Sequence, residues 1–169
     1  DPENEFFADG ISEELLNILA RVEGLKVASR TSAFSFKGKN VPVAEIAELL
    51  DVQHVLEGSV RKQGTRVRIT AQLIDAENDA HLWSQTYERE LLDIFRVQEE
   101  IAVAITTALE DILGTRQVAV SAPTADLEAY QYFLRGRSRF YQRGTDMDLA
   151  IADLQAAVDR DPNFAEAWG

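Results

Sequence analysis

The residues Val67-Arg68-Ile69-Thr70-Ala71-Gln72-Leu73 constrain the fold more than any other stretch of this chain. Apolar and polar side chains alternate there one by one. A period of two puts Val67, Ile69, Ala71 and Leu73 on one face of a β-strand, and Arg66, Arg68, Thr70 and Gln72 on the other. Gln63-Gly64-Thr65 supplies turn chemistry before this strand and Glu77-Asn78-Asp79 after it. The whole stretch Val55–Arg89 therefore reads as three consecutive antiparallel strands. Its apolar face needs helices to cover it, and its Trp83 and Tyr87 share one face of the third strand.

Helical periodicity appears on both sides of the meander. Ile11, Leu15, Ile18, Leu19 and Val22 form one stripe, with capping chemistry at Asp9, Gly10 and Ser12, acids Glu13 and Glu14 at the positive end of the dipole, and Gly24 as the stop. Leu25–Ser29 is a short strand candidate, and Arg30–Lys39 reads as a surface loop anchored by Phe34 and Phe36. Asn40 and Pro42 open a helix with the stripe Val43, Ile46, Ala47 and Leu50. Asp93–Leu113 reads as the longest helix, with Val97, Ile101, Ile105, Ala108 and Ile112 along one side. Gly114–Asp126 has the composition of a linker, broken only by the short apolar run Val118–Val120. Two helices follow, Leu127–Gln142 burying Leu127, Tyr130, Phe133 and Leu134, and Asp146–Arg160 burying Met147, Ala150, Ile151, Leu154 and Val158. Asp161-Pro162 stops the last one.

Composition narrows the function classes. A net charge of −12 over 169 residues argues against general nucleic-acid binding, which needs a basic face for phosphates. There is no cysteine, so thiolate chemistry is absent, and the two histidines make no cluster with metal-ligand spacing. No charge-free apolar run approaches a membrane span; Ile101–Leu109 is among the longest. The acidic start Asp1-Pro2-Glu3-Asn4-Glu5 does not read as a signal peptide. Charge is uneven, however. Gly24–Ala44 carries Lys26, Arg30, Lys37 and Lys39 with no acid, and Gly58–Ile74 carries Arg61, Lys62, Arg66 and Arg68 with no acid. Either these are ordinary solvated positions, or Arg30, Lys37, Arg61, Arg66 and Arg68 form a positive surface for an acidic partner.

The residues offer little catalytic chemistry. His54 and His81 lie beside strand starts without a nucleophile or an acid in a recognisable frame. Glu57-Gly58-Ser59 lacks the frame of a nucleophile elbow, and Gly58 fits a bulge or a close packing contact. Lys37-Gly38-Lys39-Asn40 lacks the first glycine and the final hydroxyl of a phosphate loop. Asp146 and Asp148 are close enough to share a cation, but the glycine and terminal glutamate of a calcium loop are missing, and Asp146 suits a helix cap. Phe34, Phe36 and Trp83 offer an alternative, an aromatic small-ligand pocket. No cofactor is implied.

Two resemblances organise the chain further. Ala150, Leu154, Ala157 and Pro162 match the small, large, small and Pro positions in the second helix of a tetratricopeptide repeat, and Trp168 falls where the next repeat opens. Tyr132 and Gly136 take the opening aromatic and small positions of the first helix, with roughly two extra residues in the turn before Ala150. Residues 1–113 resemble a bacterial module like the TolB amino-terminal domain, also seen in the FlgO family. The residues that carry this are Phe7-Ala8-Asp9-Gly10-Ile11-Ser12-Glu13-Glu14-Leu15, Val27-Ala28-Ser29-Arg30-Thr31-Ser32, Val55-Leu56-Glu57-Gly58-Ser59-Val60, Leu73-Ile74-Asp75-Ala76 and Leu82-Trp83.

The resemblance implies an α/β (α+β) domain over residues 1–114, with a mixed sheet that includes the meander. A linker at 115–126 and a repeat with the start of a second at 127–169 follow. It also implies a non-catalytic interaction or sensory module of a larger bacterial signalling protein, with a cyclase or winged-helix domain upstream. Such a module would lie on the extracytoplasmic side if a membrane span intervenes. An alternative is the regulatory C-terminal region of an adenylate or guanylate cyclase. The family module opens with an apolar strand ahead of the position of Asp1, and an open slot in the sheet implies self-association. Protein partners are expected along the repeat and the basic sheet face.

Overall fold

The computed structural model describes residues 2–114, 122–142 and 147–168. It is an α+β structure in two compact units, Asp1–Ser12 with Val120–Gly169, and Glu13–Ala119. The second boundary falls inside the expected linker, whereas the first twelve residues group with the helical hairpin. Residues 115–121, with Val118–Val120, and residues 143–146, with Asp146, lie outside the described residues.

Helix α1 runs Pro2–Ala20, nine residues further back than the stripe from Ile11 indicated. The stripe itself extends back to Phe7, one turn before Ile11, and both side chains are fully buried. Asp9, Gly10 and Ser12 are therefore interior helix residues and not caps. Burial of Phe7 outweighs the cost of about 1 kcal/mol for a mid-helix glycine. Gly24 then turns the chain at φ +84°. Leu25–Ser29, expected as a strand, forms no strand and joins no sheet among the described residues. Arg30–Phe34, expected as loop, is a short helix, α2. Its cap is Ser29, whose Oγ accepts from the Ser32 amide at 3.3 Å. Helix α3, Val43–Leu50, follows Pro42 and ends at Asp51 with φ +53°.

Strands β1 (His54–Gln63), β2 (Arg66–Asp75) and β3 (Ala80–Glu90) form an antiparallel sheet in the order β1-β2-β3. The β1–β2 loop has two residues, with Gly64 at φ +60°, a value that primed hairpin turns require. Val67, Ile69, Ala71 and Leu73 are buried, as their alternation dictates. Leu82 is an extra residue in β3, because Leu73 pairs with Trp83 while Ile74 pairs with His81. Gly58 sits where a Cβ would come within 2.1 Å of the Thr70 carbonyl oxygen, so it marks a close backbone approach.

Helix α4, Ile94–Ala108, lies against β2 and β3 and buries Ile94, Val97, Ile101 and Ile105. The expected single helix breaks at Leu109, and α5 covers only Glu110–Leu113. The break turns Leu109 inward and leaves Ile112 exposed, contrary to the stripe. In the other unit, α6 (Leu127–Gln142) has the expected bounds, and α7 (Met147–Arg160) ends where expected, the expected start at Asp146 lying outside the described residues; the two form the hairpin. Gly136 lets them approach, since a Cβ there would lie 3.0 Å from the Ala150 carbonyl oxygen. Helix α7 turns its small residues Ala150 and Ala157 inward. That rotation leaves Met147 and Ile151 exposed, where burial was expected.

Candidate interaction surface

The register of the sheet places polar side chains in rows across its uncovered face. One row is Arg61, Arg68 and Glu88; the next is Ser59, Thr70 and Thr86; the third is Glu57, Gln72 and Ser84. A further row beyond the first holds Gln63, Arg66 and Glu90. Thr70 Oγ1 and Thr86 Oγ1 lie 3.2 Å apart. Arg68 Nε donates to Glu88 Oε1 at 2.6 Å, and Arg66 Nε stands 3.9 Å from Glu90 Oε1. The Arg61 side chain has no hydrogen bond or ion pair among the described residues, and it lies directly opposite Arg68. Like charges in register are mildly destabilising in an antiparallel pair.

The sheet thus brings together Arg61, Arg66 and Arg68, three of the five basic residues singled out in the sequence. Acids of the same face, Glu57, Glu88 and Glu90, balance them. Arg30 lies in α2 and is tied to α1: its Nε donates to Glu13 Oε2 at 2.8 Å, and its guanidinium stacks over Phe34 at 4.4 Å from the ring centroid. Glu13 is buried, so this pair is a structural clamp. Lys37 follows α2 and is exposed. Phe34 and Phe36 are half-buried in and after α2. Trp83 is half-buried on the covered sheet face, with its ring 6.5 Å from that of Tyr87. Burial, followed by the nearby Glu100 carboxylate, pushes the Tyr87 hydroxyl above the usual phenol range.

The helical unit has its own polar centre. Asp153 of α7 is buried, and both its oxygens are held from α6. Arg135 Nε donates to Oδ1 at 2.9 Å, and Arg139 donates to Oδ2. Arg135 also stacks over Tyr132, and Arg137 reaches the Gly10 carbonyl oxygen at 3.4 Å. Asp126 caps α6, with Oδ1 accepting from the Glu128 and Ala129 amides at 2.9 Å each. Those bonds, the Ala129 amide foremost, hold the Asp126 carboxyl below the usual range. A hydrogen bond from the Asn78 side chain, with the Glu77 amide, does the same for Asp75 in the β2–β3 turn. Exposed apolar side chains in this unit include Phe140, Met147, Ile151 and Trp168.

Asp153, Glu88 and Glu90 carry much of this arrangement and were not singled out in the sequence, and Glu13 was read there only as a helix-dipole partner. The turn was read from sequence as Gln63-Gly64-Thr65; in the structure Gln63 pairs with Arg66, and the two-residue loop Gly64-Thr65 sets Arg61 opposite Arg68. Helical spacing gives no direct sign that Asp153 meets two arginines of the preceding helix. Among the described residues, no group of three or more His, Asp or Glu is placed to hold a metal ion, and no helix is long and apolar enough to cross a membrane.

No protein-family model matches the chain. It is 39% identical over 170 residues to a protein of Rhizobium meliloti (strain 1021) named "Putative adenylate cyclase 3". The match takes in 99% of this chain and 29% of that relative, so the chain spans less than a third of the relative's length.

Proposed function

We propose that this chain is a non-catalytic regulatory and protein-interacting region of a larger bacterial nucleotide cyclase. The observation that carries the reading is the end-to-end similarity to a minor part of a protein that bears a cyclase name. The sequence itself offers no nucleophile frame and no phosphate loop, which suits a regulatory role.

Within this reading, residues 1–114 serve as the TolB-like module and residues 127–169 as a tetratricopeptide repeat. Close packing of Gly136 against Ala150 and Leu154 suits the small positions of such a repeat. The exposed Met147, Ile151 and Trp168 suit stacking by a further helical pair, and the concave face of an extended array takes peptide or protein ligands. The uncovered polar sheet face is the contact surface of the α+β unit, and the chain self-associates.

The direct test is to incubate the purified chain with ATP or GTP and a divalent cation. The reading expects no cyclic nucleotide. Turnover that scales with the amount of chain would overturn it.

A further inference from the structure

The polar sheet face is complementary to itself, and we propose that two copies of the chain associate face to face through it. The inference rests on the self-association read above and deepens it by naming the surface. A two-fold axis between two such sheets, perpendicular to the strands and over the Ser59–Thr70–Thr86 row, sets that row against its own copy. Arg61 then faces Glu57 of the second copy, and Glu57 faces Arg61 of the second copy. Arg68 faces Gln72, and Glu88 faces Ser84. These pairings follow from the register alone. An isologous interface requires this reciprocity, with residue i meeting j and j meeting i.

Three features favour a second copy as the occupant. Arg61 has no acidic partner within its own chain among the described residues, and the symmetry supplies one. No like charges meet across the axis in the three central rows. The central row consists of the short side chains Ser59, Thr70 and Thr86, which permits the spacing of about 10 Å between packed sheets. The three central rows, about 20 Å along the strands and about 14 Å across them, present about 300 Å² per copy, or about 600 Å² in all, since Ile74 in the row beyond Gln72 is already buried within the chain. That is the size of weak, reversible interfaces, so the dimer depends on concentration.

The test is sedimentation velocity over a concentration series at low salt, with circular dichroism to confirm that each variant folds. Wild-type chain is expected to sediment as a reversible dimer. Arg61→Glu alone sets two carboxylates against each other at each contact with Glu57, and Glu57→Arg alone sets two guanidinium groups against each other at each contact with Arg61. Each is expected to weaken association at least tenfold. An equal mixture of the two restores an opposite-charge contact and should dimerise better than either variant alone. Thr70→Arg, at the centre of the face and away from the strand edges, should also abolish it. A dimer that survives Thr70→Arg but not Arg61→Glu pairs instead through the β1 edge and overturns the proposal. A dimer indifferent to all three variants overturns the surface and leaves self-association standing. A strictly monomeric wild type overturns both.

Discussion

Asp153→Ala tests whether the buried carboxylate holds the hairpin together. The side chain of Asp153 is 7% exposed, while those of Arg135 and Arg139 are about a third exposed. Removing one member of a fully buried ion pair costs about 3–5 kcal/mol, because a desolvated charge is stranded. Here the stranded groups are the two arginines, and both reach water in part. Their charge-assisted bonds to Asp153, worth about 1.5–3 kcal/mol each, are therefore counted at the low end, for a total of about 3 kcal/mol. The loss should fall on the helical unit, since both arginines and the aspartate lie within it. Hydrogen exchange of α6 and α7 amides under native conditions reads this directly, with protection falling by about two orders of magnitude for 3 kcal/mol. A double-mutant cycle with Arg139→Ala should give a coupling above about 1 kcal/mol. Protection unchanged within a factor of about two, or a coupling near zero, would refute a clamping role for Asp153.

Gly58→Val should destabilise the α+β unit by at least about 3 kcal/mol in urea unfolding, because a Cβ at 2.1 Å from the Thr70 oxygen forces β1 and β2 apart. A loss below about 1 kcal/mol would show that the strands part without cost. Glu13→Ala should release α2, which buries no residue of its own, and raise amide exchange across residues 30–36 while the sheet keeps its protection. Unchanged exchange there would deny the clamp. Asp126→Ala should cost the α6 terminus about 1 kcal/mol at neutral pH. Because the folded Asp126 carboxyl is held below its unfolded value of about 4, its contribution is full above that pH and fades as pH falls through the folded value. The difference between wild type and Asp126→Ala should therefore shrink in strongly acidic solution. A difference that is constant with pH would contradict it.

Period and turn chemistry are local, and they made the meander and the hairpin legible. Alternation from Val67 to Leu73 gave the buried face of β2, and Gly64 gave the tight loop that sets the β1–β2 register. Leu127–Gln142 was readable from its apolar stripe, and its Asp126 cap emerged only in the structure. What the sequence withheld depends on partners distant in the chain. The start of α1 needed the burial of Phe7 to outweigh Gly10. The inward turn of α7 needed Gly136 to admit Ala150, which sent Met147 and Ile151 outward. The charge balance of the sheet face needed β3 in register, and the extra residue Leu82 sets that register. Arg30 read as a free cation because its acid, Glu13, lies 17 residues earlier and looked like a helix-dipole partner.

The most direct measurement of the regulatory reading is cyclic AMP formation by the intact Rhizobium meliloti relative, compared with the same protein lacking the matched 170-residue segment. A regulatory segment predicts that the shortened protein still makes cyclic AMP, at a rate that differs severalfold from that of the intact protein. Complete loss of activity together with loss of ATP binding would place the segment in the catalytic apparatus. An unchanged rate with an unchanged oligomeric state would deny it a regulatory role.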